Sequence, residues 1–444
     1  MGNGLVDVGI VLALGGLALA TCADDETRQA GTTTASGAGG THTGGTGGTG
    51  GSGAAGAGAG TGGMGAFGGG GAGGQPPTCT QDVSPGTDLG PIAQSAQPGD
   101  VICLAAGDYG PFRIPTGGTS AEPIWFRARD GDEQLARITD NGTFSQGIRV
   151  ENTAHVIIDG LWVDEINQGI YVYYSDHVVV RNCRVTRIGQ ECLRFKHSSY
   201  GAFLFNDVDD CGLRYQEGMN GEGIYVGSGE ENGDDTHDVT VRGNHIRNAK
   251  DEGIELKGST SNCLVEGNVV HDLLIRDGGG ITVSTPDLPD ASLNDSGHVV
   301  RGNVVYAVST RTQYQDGNGL NVRRGATVVN NVSWGNQHYG IRIDDKEGRG
   351  ALVTALHNTF YGNGVDDVGV FDSAVTDLRN NLGLSATDNL AATADLFVDA
   401  AGGDFHLVPG AAAVDAGSDV GVAIDIEGTP RPQGAGFDFG AYER

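Results

Sequence analysis

Short stretches of alternating apolar and polar residues recur along this chain, each opened by a glycine. Gly169-Ile170-Tyr171-Val172, Gly253-Ile254-Glu255-Leu256 and Gly340-Ile341-Arg342-Ile343 are three of them. A turn follows each, then an apolar run closing on an asparagine. Those asparagines are Asn182, Asn206, Asn244, Asn268, Asn303, Asn331, Asn358 and Asn381, separated by 24, 38, 24, 35, 28, 27 and 23 residues. Self-similarity at such a period marks a solenoid. Two short β runs per repeat, with no space for a helix, predict that the solenoid is all-β.

Neighbouring residues on a strand face opposite sides. The pairs Ile148/Val150, Ile170/Val172, Leu193/Phe195, Ile224/Val226, Ile254/Leu256, Ile281/Val283, Leu320/Val322 and Ile341/Ile343 therefore point inward as a stacked core. The asparagines are expected to form an internal ladder, each amide bonding the turn of the next coil. Leu89, Ile92, Ala93 and Ala96 fall at helical spacing just before the first strand, Val101–Leu104, where an open solenoid end needs a cap. Coils run to about Leu384. From Asp395 the pattern changes, and the tail 395–444 reads as a C-terminal cap.

The N-terminal part has a different composition. Leu5–Leu19 is an apolar stretch of signal-peptide length, too short to span a membrane as a helix. It ends in Leu19-Ala20-Thr21-Cys22, which resembles a bacterial lipoprotein box. That implies lipidation at Cys22 and an outer-membrane or cell-surface location, with plain secretion as the alternative. Residues 31–75 are almost wholly Gly, Thr, Ala and Ser, a composition that cannot bury enough apolar surface to order itself. The expected organisation is a signal peptide at 1–22, a linker at 23–78, a capped β-helix at 79–394 and a C-terminal cap at 395–444. A formal charge of −29 argues against nucleic acid as a partner. An exported chain permits disulfides, and Cys79–Cys103 is the favoured pair; Cys183, Cys192, Cys211 and Cys263 are left open.

If the apolar pairs face inward, the intervening residues share one outward strip. Coil by coil it presents Arg149/Glu151, Tyr171/Tyr173, Arg194/Lys196, Tyr225, Glu255/Lys257, Thr282/Ser284, Asn321/Arg323 and Arg342/Asp344. At about 4.8 Å per coil, Arg194 and Arg342 are expected roughly 24 Å apart. Basic residues lined up in this way, in a chain of 27 basic and 56 acidic residues, suit an extended acidic polymer. Tyr171, Tyr173 and Tyr225 offer flat surfaces for sugar rings. A solvated face of cross-strand ion pairs is the plain alternative. Two long loops, Gly227–Asp238 and Ser284–His298, flank the coil of Glu255 and Lys257 and centre the cleft on Lys257. Glu191, Glu222, Asp251, Glu252, Asp277 and Asp316 precede the same strands. Of these, Glu222, Asp251 and Glu252, together with Glu255, are candidate calcium ligands, because that ion takes six to eight oxygens; solvated turn-forming acids are the other reading.

Ala105-Ala106-Gly107-Asp108-Tyr109, Pro115-Thr116-Gly117-Gly118-Thr119 and the coil pattern resemble the secreted right-handed parallel β-helix proteins of the pectate-lyase-like superfamily. The segment Asp251-Glu252-Gly253-Ile254-Glu255-Leu256 is similar to the calcium motif of family-nine pectate lyases. The resemblance implies a single-stranded right-handed parallel β-helix, a monomer, and calcium on Asp251, Glu252 and Glu255. It implies β-elimination on a uronic-acid polymer. That family's catalytic lysine aligns with Thr282 or Asn321 here, so Lys257 is assigned as the base. Arg194 or Arg323 is assigned as the carboxylate clamp. Arg149, Tyr171, Tyr173, Lys196, Tyr225 and Arg342 are assigned to substrate binding. Two other functions stay open: a non-catalytic surface coil that binds glycans, and a glycoside hydrolase, for which the expected Gly-His-Gly segment is absent.

Overall fold

The computed structural model describes residues 76–140, 146–214, 220–228, 233–285, 295–311, 316–345, 348, 350 and 352–444. Cys22, the apolar segment and the Gly/Thr-rich stretch lie outside these residues. So do the central parts of the two long loops.

Three parallel sheets, one of twelve strands and two of ten, wind into a right-handed β-helix. Each full coil carries three strands rather than the expected two. Gln168–Tyr173, Val179–Arg181 and Arg184–Ile188 make up one coil. The second and third are parted only by the bend at Asn182-Cys183. A two-residue corner is too short to read as a turn, so the two strands read as one run. The inward pairs stack in register, Ile148 on Ile170 on Leu193 on Ile224 on Ile254 on Ile281 on Leu320 on Ile341. They are fully or almost fully buried.

The glycine that opens each repeat has a steric cause. A Cβ on Gly169 would lie 2.0 Å from the carbonyl oxygen of Cys192 one coil on, and a Cβ on Gly253 would lie 2.7 Å from that of Gly280. At these positions a glycine lets successive backbones close to hydrogen-bonding distance; the Leu193 coil carries Cys192 in the equivalent place, its sulfur bonded to Cys211.

The asparagine ladder runs from Asn206 through Asn244, Asn268, Asn303, Asn331, Asn358 and Asn381 to Asn389. Each side-chain amide donates to the next Oδ1 at 2.9 Å. Asn182 is not a rung. Cys183 takes that place, its N–H donating to Asn206 Oδ1, while the Asn182 side chain donates to Asp159 on the outside. The residue pattern alone could not show this one-position offset.

The N-terminal helix spans Leu89–Ser95, and its N-cap Asp88 accepts from the Gly90 N–H. Strand Gln81–Val83 pairs with Val101–Leu104, so the coil begins earlier than the hydrophobic pattern suggested. Cys79–Cys103 is a disulfide at this end, and Cys192–Cys211 is a second within a site-bearing coil; Cys183 and Cys263 are buried thiols. The C-terminal segment packs its own apolar cluster, including Leu396, Phe397, Phe405 and Phe439, on Val332 and Trp334. A buried Arg431–Glu443 pair at 2.7 Å locks it. No helix among the described residues is long and apolar enough to cross a membrane.

Candidate functional site

The site sheet is the ten-stranded one running from Phe112–Ile114 to Asp366–Phe371. Its first outward column reads Arg113, Arg149, Tyr171, Arg194, Tyr225, Glu255, Thr282, Asn321, Arg342, one residue per coil. A second column, two residues on, contains Glu151, Tyr173 and Lys196, then Lys257, Ser284, Arg323 and Asp344. The basic residues are therefore aligned along one strip, and Arg194 and Arg342 are five coils apart.

Facing outward does not make this strip an open surface. Arg194, Lys196, Tyr225, Glu255, Thr282 and Asn321 are all buried. The ion pairs run chiefly within a coil, not across coils. Arg149 meets Glu151 at 2.7 Å, Arg194 meets Glu191 at 2.6 Å, Lys257 meets Glu255 at 3.0 Å, and Arg342 meets Asp344 at 3.1 Å. Arg113 also reaches Glu151, and Arg323 lies 3.7 Å from Asp344. Alternation places i and i+2 on one face, which makes the Arg149–Glu151, Lys257–Glu255 and Arg342–Asp344 pairs local.

The tyrosines sit between cations. The Arg194 guanidinium lies 5.1 Å from the Tyr171 ring centre and 4.4 Å from that of Tyr225. Lys257 Nζ lies 5.3 Å from the Tyr225 ring. Arg149 and Lys196 lie 5.4 and 5.5 Å from the Tyr173 ring. Such contacts hold long side chains in place, so these rings are in part occupied as cation platforms.

Acidic residues concentrate at the centre. Glu222, Glu252 and Glu255 bring carboxylate oxygens within 4.8 Å of one another, and so do Asp251, Glu252 and Asp277. Glu222 and Glu252 stack in register because Ile224 pairs with Ile254. Burial first, then the charges of Asp251, Glu255 and Glu191, push the Glu222 carboxyl well above the usual range. Burial and the charges of Glu255, Asp251, Asp277 and Glu222 do the same to Glu252. Asp251 is raised to about 7, chiefly by burial, with Arg276 at 3.2 Å acting against the shift. Hard oxygen donors converging with too little positive charge among them fit a cation such as Ca2+. The sequence offered no cue to Arg276 as the neighbour of Asp251, because the two belong to successive coils.

Lys257 carries the opposite perturbation to the one a base needs. Burial works against its ammonium, yet the charges of Glu255, Tyr225 and Glu252 prevail and hold it above the ordinary lysine range. Among the charges that set its state, Glu255 leads.

A family model described as right handed beta helix region matches residues 146–315 and 233–384, together more than half of the chain. No curated protein matches it in sequence. Among solved structures, the pectate lyase Pel9A is similar at a TM-score of 0.55 and 16% identity, over 83% of this chain and 97% of that one. An alginate lyase from Paenibacillus sp. str. FPU-7 gives 0.45 and 18% identity, over 70% and 100%. A rhamnogalacturonan lyase gives 0.47 and 13%, over 69% and 84%. At these identities the likeness is one of fold.

Proposed function

From the premise that this chain belongs to the right-handed β-helix family, we propose that its outward strip binds an acidic polysaccharide and cleaves it by β-elimination. The observation that carries this reading is the meeting of Glu222, Glu252 and Glu255 within 4.8 Å, midway along a strip of aligned basic residues. Fold alone does not decide chemistry. The Pel9A likeness supports the reading only in that a pectate lyase uses the same architecture.

Glu222, Asp251, Glu252 and Glu255 would hold calcium, whose charge would help neutralise a uronate carboxylate and so acidify the proton beside it. The remaining roles belong to this chain's own side chains. Arg194 or Arg323 orients the reacting sugar's carboxylate, and Arg149, Tyr171, Tyr173, Lys196, Tyr225 and Arg342 bind along the strip. Lys257 takes the proton. To do so it must lose its own, which its pairing with Glu255 opposes. Proton abstraction therefore requires the Glu255 charge to be committed elsewhere. Export, with a lipid at Cys22, places the protein where such polymers occur.

The Lys257–Glu255 pairing also favours a second reading, a groove that binds without reacting. One experiment decides between the two. Lys257→Ala is expected to abolish release of unsaturated uronides, followed by ultraviolet absorbance on pectin, alginate and chondroitin, while leaving the fold intact. Retained release removes Lys257 from the mechanism. A wild type that binds polymer and yields no product establishes the binding-only groove.

A further inference from the structure

Along the strip, every basic side chain named so far has a carboxylate beside it, with one exception. Arg113 and Arg149 have Glu151, Arg194 has Glu191, Lys257 has Glu255, and Arg323 and Arg342 have Asp344. Lys196 is only 7% exposed, and no carboxylate among the described residues lies within salt-bridge distance of its ammonium. Among the described residues its side chain's close partner is the Tyr173 ring, 5.5 Å from Nζ, and that ring is already shared with Arg149. An ammonium on so buried a residue, with no counter-ion among the described residues, is poorly compensated, and a tyrosine face offsets only part of the cost.

Resting on the polysaccharide reading above, we propose that Lys196 is a specificity-determining anion subsite whose counter-ion is a carboxylate of the bound polymer. Register places Lys196 two coils from Lys257, about 10 Å along the axis at the spacing of stacked strands. The group it holds therefore belongs to a different sugar from the one that loses its proton to Lys257. The protein then requires charge at a second position on the polymer, beyond the sugar that reacts. Neighbouring rings frame the subsite. Tyr174 stacks on His197 at 4.5 Å and meets Tyr173 edge-on at 4.3 Å, closing the flank next to Lys196.

The test measures binding of polygalacturonate, alginate and chondroitin to the full chain, each beside its carboxyl-reduced, uncharged counterpart, with calcium present. Lys196→Met keeps the length of the side chain and removes its charge; Lys196→Arg restores the charge. Lys196→Met is expected to bind the charged polymer about 10- to 100-fold more weakly, the range for a lost charge-assisted hydrogen bond. Its affinity for the reduced polymer should stay unchanged, and Lys196→Arg should recover most of the loss. The melting temperature of Lys196→Met should hold or rise, because a largely buried residue loses a charge that has no counter-ion among the described residues. Equal binding by wild type and Lys196→Met overturns the subsite and leaves the groove standing. An equal loss toward charged and reduced polymers, or a lowered melting temperature, assigns Lys196 a packing role and also overturns it. A wild type that binds no charged polymer sinks the groove reading, and the subsite with it.

Discussion

At the residue scale, the central feature is a set of carboxyls that the fold forces together. Glu222 and Glu252 lie one above the other because their strands pair in register, while Glu255 and Asp251 flank them on the Glu252 coil. A carboxyl whose pKa is raised on folding binds more protons folded than unfolded, so it removes stability as pH rises from its unfolded value to its folded one. For Asp251 the window runs from 3.8 to about 7. The buried histidines His298 and His357, lowered to about 3 mainly by burial, act in the opposite sense below 6.5. The informative quantity is therefore a difference between proteins. Without calcium, the stability of Asp251→Asn relative to wild type should grow between pH 5 and pH 7, as read by urea denaturation. A difference that stays flat would mean Asp251 is already ionised at pH 5. The identities of these acids are plain in the sequence; their mutual repulsion is not, because it depends on burial.

At the element scale, the coil is held by two devices that sequence reasoning found and one it misplaced. The inward apolar pairs and the asparagine ladder follow from spacing. The Asn182 rung was misassigned because the ladder continues through the Cys183 N–H. This gives a graded expectation. Asn303 accepts from Asn268 and donates to Val265 O, Arg301 O and Asn331 Oδ1 while fully buried. Asn303→Ala strands several buried groups and should cost about 3 kcal/mol or more. Asn182→Ala gives up one outward bond to the Asp159 carboxylate at a φ of +52° that alanine tolerates less well, and should cost about 2 kcal/mol. Chemical denaturation of both variants checks the contrast, and equal costs would contradict the ladder's offset.

At the scale of the whole molecule, the solenoid converts distance along the chain into distance along an axis. Arg149 and Arg342, 193 residues apart in number, share one column. The resulting strip is not simply basic, since its cations are mostly neutralised by Glu151, Glu191, Glu255 and Asp344 while the acids at its centre are in excess. On the proposed function a polyanion therefore needs an added cation there. Chelation should weaken binding of polygalacturonate about tenfold or more, and Glu222→Gln with Glu252→Gln should abolish the calcium dependence. Titration calorimetry with and without chelator tests this; calcium-independent binding would leave the arginines and lysines as the whole of the recognition.

Periodicity by itself determined the coil, its inward face and the residues of the outward strip, because strand alternation acts locally and repeats at every winding, with an opening glycine at most of them. Only the tertiary structure decided which of those outward residues are buried, that Lys257 answers to Glu255, and that Lys196 has no carboxylate beside it among the described residues. Charge states are set by desolvation and by neighbours several tens of residues away in the chain, and no local pattern encodes them.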